Sequence, residues 1–326
     1  MASEPTQRDV ACNGVRLRIT EQGGGPLVLL LHGWPELAYS WRHQIPALAE
    51  AGWHVVAPDM RGFGGSEAPE PVGQYTVLHL VGDMVALASE MGERQAVIVG
   101  HDWGANIAWT AALLRPDLFR AVAALSVPFR PRGPVPPLAA VRRAGLDRFY
   151  WIYFQEQGVA EAEFEVDPTA TLRRILYSGS GDAPRREGLA LTLPEDGGFL
   201  SRTLEPSALP GWLTARDLET MAASFRRTGF RGGLNYYRNL DRNWELLAPW
   251  QGALVTPPAL FIAGTRDVVI NSPIATGWQD AMAAYVPNLR ETVLIEGGGH
   301  WIQQERPAEV NAALLRFLAE LSAPRH

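Results

Sequence analysis

One segment in the first third of the chain narrows the folds open to this sequence more than any other. Residues 96–99 form an apolar run, which predicts a strand buried on both faces, and residues 105–114 are mostly small or helix-forming. Gly100 and Gly104 lie between the two and indicate a turn so tight that a Cβ at either position would strike neighbouring backbone. A strand, a sharp turn and a helix in this order hold the residue at the tip, Asp102, exposed above a parallel sheet as a candidate nucleophile.

The rest of the chain supplies the strands and helices of such a sheet. Residues 15–21 alternate apolar and polar side chains, which predicts a half-exposed strand at the edge of the sheet. Further strands are predicted at 27–31, 53–57, 121–126, 258–264 and 291–295, and the apolar runs at 27–31 and 53–57 predict strands that are buried. Helical spacing is found at 39–51, 75–91 and 307–321. Strands that alternate with helices at this spacing indicate βαβ units and therefore a mostly parallel sheet.

The sequence changes in character near Pro131, where prolines crowd together and mark a boundary. From there to about residue 250 we find aromatic residues and helical patterns, with a charged helix face at 161–165 and an amphipathic helix at 217–227, but no convincing buried strand. The pattern predicts an α/β core at 1–130 and 251–326 that is interrupted by a helical cap at 131–250. Because pockets favour such junctions, a functional site is expected between core and cap.

Composition excludes several classes of function. The 326 residues, 47% hydrophobic and 20% charged, are typical of a soluble globular protein with one large α/β domain or a core with an insertion. The net charge of -6 argues against nucleic acid as a partner. The sequence contains no lysine, which excludes a Schiff-base, pyridoxal-phosphate or P-loop lysine. Its single cysteine, Cys12, allows no internal disulfide and no cysteine-based zinc site.

No segment has the pattern of a targeting or membrane sequence. The first ten residues are polar and lack an apolar centre, unlike a signal peptide. No stretch reaches the roughly 18 continuous apolar residues of a membrane helix. We therefore expect a cytoplasmic protein that does not associate with membranes.

Asp102 alone is ambiguous, because an aspartate between glycines is also common in turns and at helix N-caps. Two later residues favour catalysis. Asp267 follows the predicted strand at 258–264, and His300 follows the one at 291–295 after a run of glycines. Catalytic groups of open α/β sheets collect at the carboxyl ends of the strands. We therefore expect Asp102 to be a nucleophile, His300 a general base and Asp267 the acid that orients His300.

With nucleophile, acid and histidine in this order, the chain resembles the α/β-hydrolases over essentially its whole length. Within them it resembles the epoxide hydrolases, above all the hydrolase domain of soluble epoxide hydrolase. An aspartate nucleophile separates epoxide hydrolases and haloalkane dehalogenases from serine esterases and lipases. The segment His32-Gly33-Trp34-Pro35 matches the family's His-Gly-x-Pro motif. The resemblance implies that backbone N–H groups of Trp34 and Trp103 form an oxyanion hole, and the peptide bond before Pro35 is a candidate for the cis form.

Two segments of the predicted cap carry the same resemblance. Residues 149–156 and 229–239 resemble the two tyrosine motifs of soluble epoxide hydrolases, which places Tyr150 and Tyr237 at the functional positions. Tyr236 stands where tryptophan is familiar in that family, and it is an alternative to Tyr237 as the inward-facing hydroxyl.

A second departure from the family pattern is Gln157, which stands where proline is common. Neither departure touches the proposed chemistry. Trp34, Trp103 and Trp301 are candidates for the walls of the substrate pocket. The resemblance further assigns to the pocket these residues: His32, Pro35, Phe154 and Trp301.

The function that the resemblance implies is hydrolysis of an epoxide with water to a vicinal diol. Asp102 would form a covalent ester, and the hydroxyls of Tyr150 and Tyr237 would polarise the epoxide oxygen. The only partners would be the small-molecule epoxide and water, with no metal, nucleotide or flavin cofactor. A haloalkane dehalogenase is the nearest alternative, although Trp34 stands where its halide-binding asparagine is common. A non-catalytic ligand-binding protein on the same fold is a second alternative.

Overall fold

An eight-stranded sheet lies at the centre of the molecule, in a computed structural model that describes residues 4–184 and 191–322. The strands are β1 (Thr6–Cys12), β2 (Val15–Gln22), β3 (Leu27–Leu31), β4 (His54–Pro58), β5 (Ala96–His101), β6 (Phe119–Leu125), β7 (Ala259–Gly264) and β8 (Leu289–Ile295). Their order across the sheet is β1-β2-β4-β3-β5-β6-β7-β8. The β1–β2 and β2–β4 pairs are antiparallel, and every other pair is parallel. The expected mostly parallel sheet is confirmed.

Helices cover both faces of the sheet and fill the long connection between β6 and β7. The α-helices of the described residues are α1 (Gln44–Glu50), α2 (Val77–Glu90), α3 (Trp103–Leu114), α4 (Pro137–Arg143), α5 (Tyr150–Tyr153), α6 (Val159–Phe164), α7 (Pro168–Gly179), α8 (Ala215–Thr228), α9 (Arg231–Arg238), α10 (Leu240–Leu246), α11 (Trp278–Tyr285), α12 (Ile302–Glu305) and α13 (Pro307–Ser322). Short 3-10 turns lie at Ala38–Trp41, Val72–Tyr75, Phe199–Arg202, Ala248–Trp250 and Pro273–Ala275.

The central strands are largely apolar because they separate two hydrophobic cores. Side chains alternate across a strand, so Leu29 of β3 joins the core beneath α2 and α3, whereas Leu30 joins the core beneath α1 and α13. Strand β7 divides in the same way, with Phe261 in the first core and Ile262 in the second. Each leucine or isoleucine buried in this way stabilises the fold by roughly 1.5–3 kcal/mol. The continuous apolar runs in the sequence are therefore the signature of a sheet buried on both faces.

The expectation that residues 15–21 form an edge strand is wrong. Strand β2 is flanked on both sides, by β1 and β4, and the edge is formed by β1. Four consecutive residues of β1, from Thr6 to Asp9, are exposed. Because these four side chains are polar, residues 6–9 do not show the alternation of apolar and polar side chains from which a strand is predicted.

The predicted helix at 39–51 is divided into a 3-10 turn and α1. Pro46 is the third residue of α1, where the N–H that proline lacks has no acceptor within the helix. A continuous helix would need a hydrogen bond from residue 46 to the carbonyl of Arg42, which proline cannot donate. The helix expected at 75–91 begins two residues later, where Thr76 caps α2 by accepting the N–H of His79.

The described residues between β6 and β7 form α4 to α10, 3-10 turns and loops, with one isolated bridge between Phe149 and Thr192. The described part of this region is mainly helical, as the sequence indicates. The limits of the helical cap, 131–250, stay a prediction. The expected charged helix face is partly internal, because Glu161 of α6 is buried and pairs with Arg238 of α9. None of the helices in the described ranges combines the length and apolar character needed to cross a membrane.

Candidate active site

The turn between β5 and α3 places Asp102 at its tip. Asp102 has φ 53° and ψ −117°, an unusual conformation for a residue with a side chain. A Cβ at Gly100 would lie 2.0 Å from the carbonyl oxygen of Gly104, and one at Gly104 would lie 2.1 Å from that of Leu31. The expectation that both positions require glycine is therefore confirmed. The surrounding structure holds this strained backbone in place, and it orients the Asp102 carboxylate away from the sheet.

The Asp102 carboxylate contacts two groups. Its Oδ1 accepts the backbone N–H of Trp34 at 2.8 Å, and its Oδ2 lies 3.6 Å from Nε2 of His300. A Cβ at Gly33 would lie 2.3 Å from Oδ1, so glycine at position 33 is what lets the loop approach. Burial raises the pKa of Asp102, but the neighbouring His300 imidazole outweighs burial and leaves this pKa below its ordinary value. Asp102 is thus an ionised carboxylate at neutral pH.

The structure also brings His300 and Asp267 together, from the ends of β8 and β7. Nδ1 of His300 lies 3.0 Å from Oδ1 of Asp267, which in turn accepts the N–H of Val269 at 2.8 Å. Burial lowers the pKa of His300, but the charges of Asp267 and Asp102, together with the hydrogen bond to Asp267, raise it well above its ordinary value. His300 is therefore an imidazole between two carboxylates, with Asp267 placed to fix its orientation.

The buried pair of His101 and Glu36, which the sequence analysis did not identify, holds the backbone of His300. Nε2 of His101 lies 2.7 Å from the carbonyl oxygen of His300, and Nδ1 of His101 lies 2.7 Å from Oε2 of Glu36. Both side chains are fully buried. Ser126 donates a further hydrogen bond to the carbonyl of His300 at 2.8 Å. Their signal in the sequence is adjacency, because Glu36 follows the His-Gly-Trp-Pro motif and His101 precedes Asp102.

Glu305 is another residue near His300 that the sequence analysis did not identify. Its carboxylate accepts three backbone N–H groups, from Gly181 at 2.8 Å, Gly299 at 2.9 Å and Trp301 at 2.9 Å. Gly299 and Trp301 flank His300, whereas Gly181 belongs to the loop after α7. Burial raises the pKa of Glu305, and the three hydrogen bonds oppose that rise.

Tyr150 and Tyr237 lie together across from Asp102. Tyr150 begins α5 and Tyr237 lies near the end of α9, and their ring centroids are 5.6 Å apart. Burial, together with the nearby Asp102 carboxylate, raises the pKa of both phenols. They are thus neutral hydrogen-bond donors at neutral pH. The hydroxyl of Tyr236 points elsewhere and donates to the carbonyl of Arg61 at 2.9 Å.

Two cavities meet at Asp102. One has a volume of about 490 Å³ and the other of about 780 Å³. Asp102, Tyr150 and Tyr237 line both of them, while His300 lines the smaller one. A substrate that reaches Asp102 therefore lies beneath the two phenols, with room for a substituent on either side.

The predicted pocket residues divide into those that line a cavity and those that do not. Trp34 and Trp301 line the smaller cavity, and Trp103 lines the larger one. His32, Pro35 and Phe154 are buried and are not among the residues that line either cavity. Their assignment to the pocket stays a prediction.

These three residues have different surroundings. Nε2 of His32 accepts the N–H of Met60 at 2.9 Å, and burial lowers the pKa of His32. Pro35 follows a cis peptide bond, as the motif allowed. Phe154 packs against the rings of Tyr150 and Tyr237, with centroids 5.4 Å and 5.0 Å away. Phe154 therefore supports the two tyrosines from behind.

The two backbone N–H groups expected in an oxyanion hole have different surroundings. That of Trp34 already donates to Asp102. Trp103 is the first residue of α3, so its N–H has no acceptor within the helix. Within residues 4–184 and 191–322, no group of three or more His, Cys, Asp or Glu side chains is arranged to hold a metal ion.

Comparison with known proteins agrees with this architecture. Residues 26–307 match the family model described as the alpha/beta hydrolase fold. The chain is 50% identical over 320 residues to Epoxide hydrolase A of Mycobacterium tuberculosis, covering 97% of this chain and 98% of that protein. It is 39% identical to Bifunctional epoxide hydrolase 2 of Sus scrofa, covering 94% of this chain and 53% of that protein.

Solved structures that are similar to this chain are also epoxide hydrolases. The crystal structure of Epoxide Hydrolase A from Mycobacterium thermoresistibile matches with a TM-score of 0.90 and 49% identity, over 97% of this chain and 98% of that one. An epoxide hydrolase from an endophytic Streptomyces matches with a TM-score of 0.94 and 45% identity, over 98% and 96%. Because the similarity extends over nearly the whole chain in both sequence and structure, the chain belongs to the α/β hydrolase fold family and, within it, to the epoxide hydrolases.

Proposed function

We propose that this chain hydrolyses small-molecule epoxides to vicinal diols through a covalent ester on Asp102. The observation that carries the proposal is the position of one ionised carboxylate between an imidazole and two neutral phenols in a shared cavity. The substrates are the epoxide and water alone, and the chemistry requires no cofactor. A cytoplasmic location remains a prediction.

The first step is attack of Asp102 on a carbon of the epoxide ring. Because Oδ1 is held by the N–H of Trp34, Oδ2 is the oxygen that forms the new C–O bond. The ring C–O bond breaks, and the departing oxygen is hydrogen-bonded and protonated by the phenols of Tyr150 and Tyr237. Phenols suit this task because they stay protonated at neutral pH and can donate to the ring oxygen as negative charge develops on it.

The second step is hydrolysis of the ester. Esterification removes the charge of Asp102, and this charge is one of the causes that hold the pKa of His300 high. His300 therefore loses its proton more readily once the ester has formed, and it acts as the base that takes a proton from water. The water oxygen bonds to the carboxyl carbon of Asp102 and the bond from that carbon to Oδ2 breaks, so Oδ2 leaves in the diol together with the remaining proton of the water. The proton that His300 loses once the ester has formed restores the tyrosine that was deprotonated in the first step, and the free Asp102 carboxylate is regenerated.

The oxyanion of this step forms where Oδ1 lies. We assign the N–H groups of Trp34 and Trp103 as its donors, and each contributes about 3 kcal/mol by analogy with acyl transfer. The halide site of a haloalkane dehalogenase has no need of two phenols beside the nucleophile. Incubation with styrene oxide and with bromobutane separates the two activities: we expect diol from the former, and bromide release without any diol would refute the proposal.

The covalent step is tested with His300→Gln, which removes the base and leaves Asp102 in place. We expect turnover to fall by roughly 100- to 10,000-fold, with the ester accumulating as a protein adduct in intact-mass spectra. In the unmodified protein, a single turnover in ¹⁸O-water is expected to place the label in Asp102. Unmodified His300→Gln protein after incubation with a substrate that the parent converts would contradict the mechanism.

A further inference from the structure

An arginine in the larger cavity takes no part in the proposed chemistry. Arg130 lies after β6 and lines the 780 Å³ cavity together with Asp102, Tyr150 and Tyr237. Its guanidinium has no hydrogen bond and no ion pair with any residue in the described part of the chain. The Arg130 side chain is exposed, and the surface that it contributes belongs to this cavity.

A neighbouring arginine, Arg132, differs from Arg130 because its guanidinium is bound to other residues of the protein. Arg132 donates to the carbonyl of Trp244 at 2.7 Å and to Oε1 of Gln251 at 2.6 Å, and its guanidinium stacks on the Trp244 ring at 3.7 Å. Its hydrogen-bonding capacity is committed to the protein. Arg130 has no such partners, so its fork of N–H donors is available to a ligand.

The remaining lining contains no carboxylate that could neutralise Arg130 other than Asp102. Most of the lining is apolar, and it includes Val127, Phe129, Leu146, Trp151 and Trp278. An arginine without a partner among apolar side chains loses hydration, and this desolvation lowers the pKa of Arg130. A bound carboxylate would supply the missing interactions, since planar guanidinium and carboxylate groups form paired hydrogen bonds.

Charge balance at the site agrees with such a ligand. A neutral epoxide needs no cation in this cavity, whereas an anionic one is repelled by Asp102. A guanidinium on the same cavity wall offsets that repulsion. Arg130 lines the same cavity as Tyr150 and Tyr237, so an acid held by Arg130 lies in the cavity that contains the phenols.

We propose that Arg130 forms an anion subsite of the active-site cavity, and that the preferred substrates are epoxides carrying a carboxylate a short chain away from the ring. This inference rests on the proposed epoxide hydrolysis. In the complex with such a substrate, the guanidinium of Arg130 binds the carboxylate while the epoxide ring lies between Asp102 and the phenols of Tyr150 and Tyr237.

The test compares two substrates of the same length, a terminal epoxyhexanoate and the corresponding epoxyhexanamide. We expect the parent protein to prefer the acid, and Arg130→Gln to lose roughly ten- to a hundredfold in kcat/KM for the acid. The kcat/KM for the amide should change little, which also shows that the variant is folded. Arg132→Gln is the matched control, and it should keep the preference for the acid.

A binding measurement separates failure of the subsite from failure of the proposed activity. Phenylpentanoate and its amide cannot react, so calorimetry with the full chain measures recognition of the acid alone. Tighter binding of the acid that disappears in Arg130→Gln supports the subsite, even where neither epoxide is converted. Equal affinity for acid and amide, or a preference that survives in Arg130→Gln, would overturn it.

Discussion

At the scale of single residues, the charge of Asp102 controls the chemistry of its neighbours. The carboxylate raises the pKa of His300, Tyr150 and Tyr237 together. In the free protein this keeps the phenols protonated for the first step. Once Asp102 is esterified, the charge is gone and His300 becomes a better base for the second. One change in charge thus switches the site from alkylation to hydrolysis.

The two steps should therefore respond differently to pH. Alkylation needs ionised Asp102, whose pKa lies below the ordinary aspartate value, so it should persist in acid. Hydrolysis needs neutral His300, and Asp267 still raises the pKa of His300 in the ester. As pH falls, His300 stays protonated and hydrolysis slows first. We expect the ester fraction at steady state to rise with falling pH, as measured by acid quench and mass spectrometry; a constant fraction would contradict this order.

The two adjacent tyrosines of α9 provide a matched pair of variants. Tyr237→Phe removes a donor opposite Asp102, so we expect alkylation in single-turnover experiments to slow by roughly 100-fold. Tyr236→Phe removes an identical hydroxyl that bonds Arg61 instead. It should keep the alkylation rate and lose about 1 kcal/mol of unfolding free energy. Slower alkylation in Tyr236→Phe than in Tyr237→Phe would reverse the assignment.

The sequence could place Asp102, Asp267 and His300 together because each lies at or shortly after the end of a recognisable strand. It could not rank Tyr237 over Tyr236, since the choice depends on the rotation of α9 against the core. The same limit applies to Phe154, which the motif assigned to the pocket. Whether an aromatic side chain lines a cavity or supports its wall depends on packing between distant segments, which sequence adjacency does not encode.

At the scale of elements, the approach of α3 to the sheet depends on glycine. A Cβ at Gly104 would lie 2.1 Å from the carbonyl oxygen of Leu31 in β3, and a backbone atom of a central strand cannot move aside. We expect Gly104→Ala to lower the free energy of unfolding by roughly 4 kcal/mol or more, measured by urea denaturation. Gly73 is the control, because a Cβ there meets nothing within 4 Å; Gly73→Ala should be nearly neutral. Equal stability of the two variants would show that the turn relaxes.

Buried elements were more predictable than exposed ones. Strand β3 is visible in the sequence because both of its faces are covered and all five of its residues are apolar. Strand β1 was missed because its exposed side chains are polar, and only its hydrogen bonds to β2 define it. The helix predicted at 39–51 includes α1 but is too long, because helical spacing alone does not account for the hydrogen bond lost at Pro46.

At the scale of the whole molecule, the segment after α7 is attached to the loop that carries the catalytic histidine. The carbonyl of Gly179 accepts the N–H of His300 at 2.8 Å. A Cβ at Gly181 would lie 2.0 Å from the carbonyl oxygen of Gly297. Glu305 completes the attachment, because it accepts N–H groups from both segments. The position of His300 therefore depends on the region between β6 and β7 as well as on the sheet.

This attachment predicts a selective defect in Glu305→Gln. The amide keeps the shape of the side chain but places N–H groups where three backbone donors converge, so the hydrogen bonds to Gly181, Gly299 and Trp301 cannot all form. His300 then loses its fixed position, while Asp102 and the tyrosines keep theirs. We expect ester hydrolysis to slow by roughly tenfold or more with little change in alkylation, which rapid-quench measurement of the two rate constants separates.

The matched control is Glu309→Gln, in an exposed glutamate of α13 that is four residues further along the chain. It removes the same charge without touching the histidine loop, so both rate constants should stay at the parental values. A general loss of stability in Glu305→Gln would slow both steps together or reduce the active fraction, leaving their ratio unchanged. A change in the ratio is therefore specific to positioning of His300, because alkylation does not use this residue as a base and hydrolysis does.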